Sequence, residues 1–498
     1  MGIIKRQSIK SSIVNYVGVI VGALATLFVY PRNIEIHGLA QFLYTAATLL
    51  IPLGTLGVLS IIVRYFPKYN TADSKNYNGF LSLVLILLSI AFLVFVIFWY
   101  LIKDRFLLLL TNLGMDVTKI LDNEIYIVLL LGCLIILNFL TYQSSNKLRI
   151  VVPNIIQTLG YKIFLPLWVL AFIYLGITVT QFSYGIVAFF GVSCLLILIY
   201  LKMIDGLKFG KIRKPEQGFS YKEMTKYSLF GSLNQLSNGI ALKIDSIMIV
   251  VLLGYASNGA YTLALFISNV IEIPTRSINQ ISGPIISKAW EDNNTSEINN
   301  VYKKGSTNLF LIGAFVFLGI WYLIDDVIRL SSNPESFIDA RMIFLFLGIG
   351  KLIDMMTSVN SQIIIFSKKY KYNLIFLGLL ASSNLILNYY LIPKYGILGA
   401  AIATSISLVM YNIMKVSFIY LIYGMHPFTL SSFKSLFILI LLALGFYLFP
   451  TDWHPIIGII IKGTFVTLIF LPIAYFWNIS EDANEMFRST LKKVFSHK

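Results

Sequence analysis

Residues 79–102 read GFLSLVLILLSIAFLVFVIFWYLI, a run without one charged side chain, and Lys103 follows it directly. A spanning helix needs about 20 apolar residues, because about 30 Å of hydrocarbon is crossed at 1.5 Å per residue. This run meets that length and is apolar all round, which lipid tolerates and water does not. Working outward from it, the same pattern recurs along the whole chain and predicts fourteen spanning segments. The first six are Ser12–Tyr30, Leu39–Phe66, Gly79–Ile102, Glu124–Tyr142, Pro153–Leu175 and Thr180–Lys202. Six more are Met224–Leu253, Asn258–Ile286, Ser306–Ile328, Ile338–Phe366, Tyr372–Ile392 and Ile397–Tyr423, and a final pair is Ser432–Phe449 and Pro455–Trp477. The expected fold class is therefore all-α: a polytopic membrane protein of about fourteen helices. The loops between the segments are too short to build a soluble core.

Composition agrees with this reading. Apolar residues make up 57% of the chain and charged residues 12%, about half the charged share of an ordinary soluble domain. The formal charge is +16, from 39 Lys and Arg against 23 Asp and Glu. No basic helix or stacking module stands outside the apolar segments, so nucleic acid is not an expected partner. Basic loops at an anionic membrane surface account for the excess, and membrane lipids are the expected surroundings. Lys5, Arg6 and Lys10 precede the first segment, which runs on past Ala23-Leu24-Ala25 to Tyr30 and is too long for a typical signal peptide. It reads as an uncleaved first helix.

Loop charge predicts orientation. With the N-terminus in the cytoplasm, alternate loops place roughly 26 Lys and Arg on that side and about six on the other. The cytoplasmic set includes Lys68, Lys147, Arg149, Lys208, Lys211, Arg213, Lys214, Lys303, Lys304, Lys368, Lys369 and Lys371. The opposite set is Arg32, Lys103, Arg105, Lys119, Arg329 and Lys394. Both termini are thus expected in the cytoplasm.

A repeat of about 220 residues runs through the chain. Gly38-Leu39-Ala40 with Ile51-Pro52 is matched by Gly259-Ala260-Tyr261 with Ile273-Pro274, and Tyr161-Lys162 with Gly185-Ile186 by Tyr370-Lys371 with Gly396-Ile397. Six segments per repeat is an even number, so both halves enter the membrane in the same direction, related by an axis along its normal. The expected organisation is an N-terminal lobe over 1–202, a basic cytoplasmic linker over 203–223, a C-terminal lobe over 224–423, and a last helix pair with a cytoplasmic tail over 424–498.

Signatures of enzymes are scarce. No phosphate-cradling glycine loop follows a strand, and His37, His426, His454 and His497 stand singly. Cys133 and Cys194 offer no disulfide framework or metal motif. Neither catalysis, a metal nor a cofactor is expected. Glu35 in the first outer loop is where a lipid-linked glycosyltransferase would want an acid, but a lone loop Glu reads as a solvated side chain.

The informative residues are charges inside the segments, where each costs several kcal/mol unless it meets a partner or a wet cavity. Lys243 and Asp245 lie in segment 7, Glu272 and Arg276 in segment 8, and Lys351 and Asp354 in segment 10, while Arg64 closes segment 2. Glu272/Arg276 and Lys351/Asp354 have the spacing of side chains on one helical face, and Pro274 predicts a kink in segment 8. These seven residues are the candidate substrate-binding set. Lys162, Arg341 and Lys415 read as structural partners or as side chains snorkelling to the interface. Gly18 and Gly22 read as a close-packing motif.

Two blocks bear a resemblance to a known family. One is Asp245-Ser246-Ile247-Met248-Ile249 with Leu253-Gly254, Gly259-Ala260-Tyr261, Pro274 and Pro284-Ile285-Ile286-Ser287-Lys288. The other is Pro393-Lys394-Tyr395-Gly396-Ile397-Leu398-Gly399-Ala400-Ala401-Ile402-Ala403-Thr404-Ser405. In these the chain resembles the multidrug/oligosaccharidyl-lipid/polysaccharide exporter superfamily, and within it the Wzx-type flippases of O-antigen and other polysaccharide precursors. The resemblance implies a flippase of the bacterial inner membrane that moves an undecaprenyl-pyrophosphate-linked oligosaccharide to the outer leaflet by alternating access, with H⁺ or Na⁺ as a coupling ion. It also implies a cationic cavity with arginines in segments 2 and 8, the places of Arg64 and Arg276, and a lipid-tail groove at segments 13 and 14. The alternative within the fold is an ion-coupled drug exporter. Many of those carry an acid in the first segment, and Ser12–Tyr30 has none. A polysaccharide glycosyltransferase or polymerase would want a large outer loop.

Overall fold

The computed structural model describes residues 2–69, 77, 79–212, 220–449, 453–482, 484 and 485. Arg213 and Lys214 of the basic linker, and His497, lie outside the described residues. All regular structure among the described residues is helical. This is what lipid imposes, since a helix satisfies its backbone polar groups internally.

The main helices are α1 (Gly2–Phe28), α2 (Ile34–Thr55), α3 (Val58–Tyr69), α4 (Phe80–Asn112), α5 (Glu124–Asn146), α6 (Gly160–Leu175), α7 (Val179–Met203) and α8 (Tyr221–Leu253). They continue with α9 (Tyr255–Asn269), α10 (Ile273–Glu291), α11 (Thr295–Arg329), α12 (Ala340–Thr357), α13 (Asn360–Phe366), α14 (Lys371–Tyr423), α15 (Leu430–Gly445) and α16 (Pro455–Phe476). Helix α4 carries the uncharged run 79–102 from that run's second residue on. Its Ile90, Leu93, Val94, Ile97, Phe98 and Leu101 are all exposed, an apolar outer face suited to lipid tails.

Among the described residues eleven helices are long and apolar enough to cross a membrane, or up to twelve if the bent pair α12–α13 is one span. The difference from fourteen lies in interrupted segments. Segments 11 and 12 run together as α14, whose 53 residues are broken at Gly396 by non-helical backbone (φ 59°, ψ −143°). Segment 8 is split by a 3₁₀ turn at Val270–Glu272, and Pro274 opens the helix that follows. Segment 10 bends by 49° between α12 and α13. Segment 2 is divided as well, into α2 and α3, by Leu56 and Gly57 with φ of 46° and 74°.

The chain divides into two compact units, Met1–Gly259 and Ala260–Lys498. In the first unit α2 packs against α5 and α8, and α5 against α7. The segment that sequence places at the start of the second lobe, α8, packs in the first compact unit. The contact is local and specific. A Cβ on Gly57 would lie 1.9 Å from the Ser228 carbonyl oxygen, so only glycine lets the two backbones meet there. Ser228 and Ser232 of α8 then donate to the carbonyls of Leu56 and Pro52, both at 2.7 Å. These are carbonyls that the end of α2 leaves without helical donors.

In the second unit α12 packs on α14, and α11 packs on α15 and α16 around Phe310, Phe317, Trp321, Tyr322, Phe446 and Phe470. Two ion pairs are set into this unit. Lys462 Nζ meets Asp326 at 2.6 Å with both side chains buried, and Arg341 meets Asp325 at 2.6 Å while its guanidinium lies over Trp321 and Phe446. Arg341 is thus a structural partner.

Candidate functional site

A cavity of about 510 Å³ opens within the first unit, lined from α2, α3, α5, α7, α8 and the Val151–Leu175 stretch that ends in α6. That size falls in the roughly 300–1,000 Å³ range of small-ligand pockets. Each wall has a sequence reason for being there. Helix α2 contributes Tyr44, Thr48, Ile51 and Pro52, just ahead of its break. Before α6 the backbone takes a π-helical turn at Ile155–Leu159. Such a turn adds a residue to one circuit of helix and recurs at functional sites. Gln157, Thr158, Tyr161 and Lys162 all line the cavity from this stretch.

The lining is amphipathic. Tyr44, Tyr161 and Phe190 form one aromatic cluster: Tyr44 stacks on Tyr161 at 5.3 Å and on Phe190 at 5.7 Å between centroids. Around it stand the amides of Asn138, Gln157, Gln235 and Asn238. Gln157 donates to the Thr141 hydroxyl, and Asn138 to the Leu134 carbonyl at 2.7 Å. Both charged side chains in the lining are cations, Lys162 and Lys243. Lys243 Nζ donates to the Thr48 hydroxyl at 2.9 Å, a neutral partner that leaves its charge uncompensated. The aliphatic stem of Lys162 runs over Gly18, where a Cβ would lie 3.3 Å from Lys162 Cδ. That glycine clears a place for the lysine.

The cavity residues fall in the middle and C-terminal parts of α2 and α5, the N-terminal half of the 151–175 stretch, and the middle of α7 and α8. At the start of α2 the backbones pack tightly instead. A Cβ on Gly38 would sit 1.8 Å from the Tyr255 carbonyl oxygen, and one on Gly259 2.2 Å from the Ile34 carbonyl oxygen. Asn258 donates to the Gly38 carbonyl at 2.9 Å and accepts from Ser246 at 2.6 Å. Gly38 and Gly259 are the matched glycines of the internal repeat, and each meets the other's stretch of backbone.

The seven residues expected from sequence are dispersed. Lys243 lines the cavity; Asp245, two residues on, is buried. Arg64 is exposed on α3, its guanidinium 4.1 Å over the Tyr227 ring, because the break at Gly57 detaches α3 from the line of α2. It is not among the cavity lining. Glu272 and Arg276, spaced for one helical face, are parted in the structure. Glu272 ends the 3₁₀ turn, one residue before α10 begins, so the two do not share a continuous α-helical face. Glu272 instead meets Lys351 Nζ at 2.9 Å, while Arg276 is exposed and has no ion pair among the described residues. Lys351 also donates to Asn269 at 2.8 Å. Asp354 accepts from Asn412 at 3.0 Å, so Lys351 and Asp354 share a face without pairing. Asn412 also accepts from Thr357 and Asn360 at 2.8 and 3.0 Å, and Lys415 donates to Ser361 beside them, 4.1 Å over Tyr411.

Sequence reasoning passed over Tyr44, Tyr161, the four amides and Lys162. The signal available was the density of amides in apolar segments: Asn138 in segment 4, Gln157 in segment 5, Gln235 and Asn238 in segment 7.

Comparison with solved structures places this arrangement. The lipid II flippase MurJ, in an inward closed conformation, superposes with a TM-score of 0.69 over 94% of this chain and 99% of its own, at 18% identity. The fold is shared with MurJ. An inward-facing multidrug resistance MATE family transporter of the MOP superfamily shares it too, with a TM-score of 0.60 over 82% of this chain and 93% of its own, also at 18% identity. In sequence, the chain is 23% identical over 372 residues to the uncharacterized membrane protein MJ1068 of Methanocaldococcus jannaschii, covering 72% of each. No protein-family model matches.

Proposed function

We propose that this protein is a flippase for a lipid-linked oligosaccharide, carrying a phosphate-bearing head group across the membrane by alternating access. The observation that carries the reading is the cavity whose charged lining residues are both lysines, set among amides within spanning helices. A pyrophosphate cannot cross hydrocarbon bare, since desolvating it costs tens of kcal/mol without a partner. Two cations in a wet cavity supply that partner. A cationic drug would be repelled by the same pair, which weighs against the drug-exporter alternative. Undecaprenyl pyrophosphate is the carrier this reading favours, in a bacterial inner membrane, with H⁺ or Na⁺ as the coupling ion.

On this reading both termini are cytoplasmic, and the cavity faces the cytoplasm, where loop charge puts the ends of α2 and α5. The repeats 1–202 and 224–423 are the moving halves, and the last helix pair holds the lipid tail. Arg276 belongs to the proposed substrate-binding set, supported by its exposure and by the lack of an ion pair among the described residues. Phosphate would compete with Glu272 for Lys351, which gives a route from binding to motion. Arg64, Asp245 and Asp354 complete the proposed set.

The test is reconstitution with a fluorescent lipid diphosphate-linked disaccharide, quenched from one side by impermeant dithionite. Wild-type protein makes the outer and inner pools exchange. Lys243→Gln, present at wild-type abundance, loses that exchange. Full exchange with Lys243→Gln overturns the reading.

A further inference from the structure

A cavity built for a bare diphosphate would need cations and polar donors alone. This one also holds a three-ring wall. Tyr44, Tyr161 and Phe190 stand within 5.2–5.7 Å of one another by centroid, and all three line the cavity. A second observation comes from Tyr161 itself. Its hydroxyl is buried and has no hydrogen-bond partner among the described residues. Buried tyrosine hydroxyls ordinarily find one. Leaving such a group unsatisfied costs about 1–3 kcal/mol, so the position is set up for an incoming acceptor or donor.

The surrounding groups define what that would be. Gln157 lies one helical turn before Tyr161, and Asn138, Thr158 and Gln235 complete the ring of hydroxyl and amide groups. Amides offer donors and acceptors side by side, which matches a polyhydroxylated ring. An aromatic face carries negative charge density that attracts the weakly positive C–H groups of such a ring. Next along the chain from Tyr161 is Lys162, and Lys243 lines the same cavity from α8.

We propose that Tyr44 and Tyr161 form a pyranose-stacking subsite, which takes the first sugar of the cargo beside the diphosphate held by Lys243 and Lys162. The inference rests on the flippase reading and adds to it the side chains that recognise sugar as distinct from phosphate. Tyr161 supplies both a face and a hydroxyl; Tyr44 extends the face.

Two probes separate the two claims: farnesyl diphosphate, and farnesyl diphosphate bearing one N-acetylglucosamine. Binding of each to the full-length protein in nanodiscs is measured for wild type and variants. Wild type gains about 3- to 10-fold in affinity from the sugar. Tyr161→Leu and Tyr44→Leu lose that gain, read in each variant as the ratio of its affinities for the two probes, and Tyr161→Phe keeps part of it. Lys243→Gln weakens both probes alike. A thermal unfolding transition certifies the fold of each tyrosine variant, and Tyr161→Phe decides the matter if a leucine variant misfolds. Bare diphosphate binding that depends on Lys243, with no gain from the sugar or an equal gain in the tyrosine variants, overturns the stacking subsite and leaves the flippase reading standing. Failure of wild type to bind either probe, or binding indifferent to Lys243, overturns both.

Discussion

The two compact units surround the cations of their helices differently. In the second unit three cations are answered by acids: Lys462 by Asp326 at 2.6 Å, Arg341 by Asp325 at 2.6 Å, and Lys351 by Glu272 at 2.9 Å, while Lys415 is buried beside the Ser361 hydroxyl and the Tyr411 ring and does not line the first unit's cavity. In the first unit Lys243 has a threonine hydroxyl, and no acid lines the cavity it shares with Lys162. A charge in a spanning helix therefore says little until its partner is known. Where an acid answers it, the pair holds helices together. Where a hydroxyl answers it and the side chain also lines a cavity, as at Lys243, the charge is placed to meet something that enters.

The contrast has consequences for stability. The largest belongs to the second unit. Lys462→Met leaves Asp326 buried and unpaired, at a cost of about 3–5 kcal/mol, seen as a lower unfolding temperature and less protein in the membrane. Adding Asp326→Leu restores most of the loss. A single Lys462→Met variant as stable as wild type would break the comparison, because the pair would then not be a structural tie.

The next effect is at the start of α2 in the first unit. Gly38→Val drives its side chain into the Tyr255 carbonyl, which cannot yield as a side-chain tip would. The cost is about 1–3 kcal/mol if the contact stays closed, or the contact parts. Reaction of Tyr255→Cys with an impermeant maleimide, in a background lacking Cys133 and Cys194, should rise when Gly38→Val is added. Gly259→Val should act alike, since the repeat sets the two glycines against each other's backbone. An effect from one glycine alone would sharpen the picture to a one-sided gate.

The smallest effect is expected at Arg276. It is exposed and without an ion pair among the described residues, so Arg276→Gln should shift stability within about 0.5 kcal/mol. A loss of several kcal/mol in a thermal unfolding series would show that it has a buried structural partner after all.

The solvent and the all-helical class were legible in the sequence alone. Runs such as 79–102 are apolar on every side, and only lipid accommodates that; the helices follow because lipid offers the backbone no other partner. The repeat marked by Gly38 and Gly259 was legible for the same reason, since close backbone approach tolerates glycine alone. Tertiary structure decided which charges face a cavity. Helices apolar all round give no stripe to say which side meets a neighbour. Local breaks then turn the side chains away from the positions that simple spacing assigns. The 3₁₀ turn before Pro274 parts Glu272 from Arg276, the break at Gly57 sends Arg64 onto a helix of its own, and the π-turn at Ile155–Leu159 precedes Tyr161 and Lys162 in the cavity wall. Lys162 and Lys415 are alike in sequence, each a lone lysine in an apolar segment. One lines a cavity and the other is tied to Ser361, because a charge takes its role from the groups within a few ångströms, and those come from distant parts of the chain.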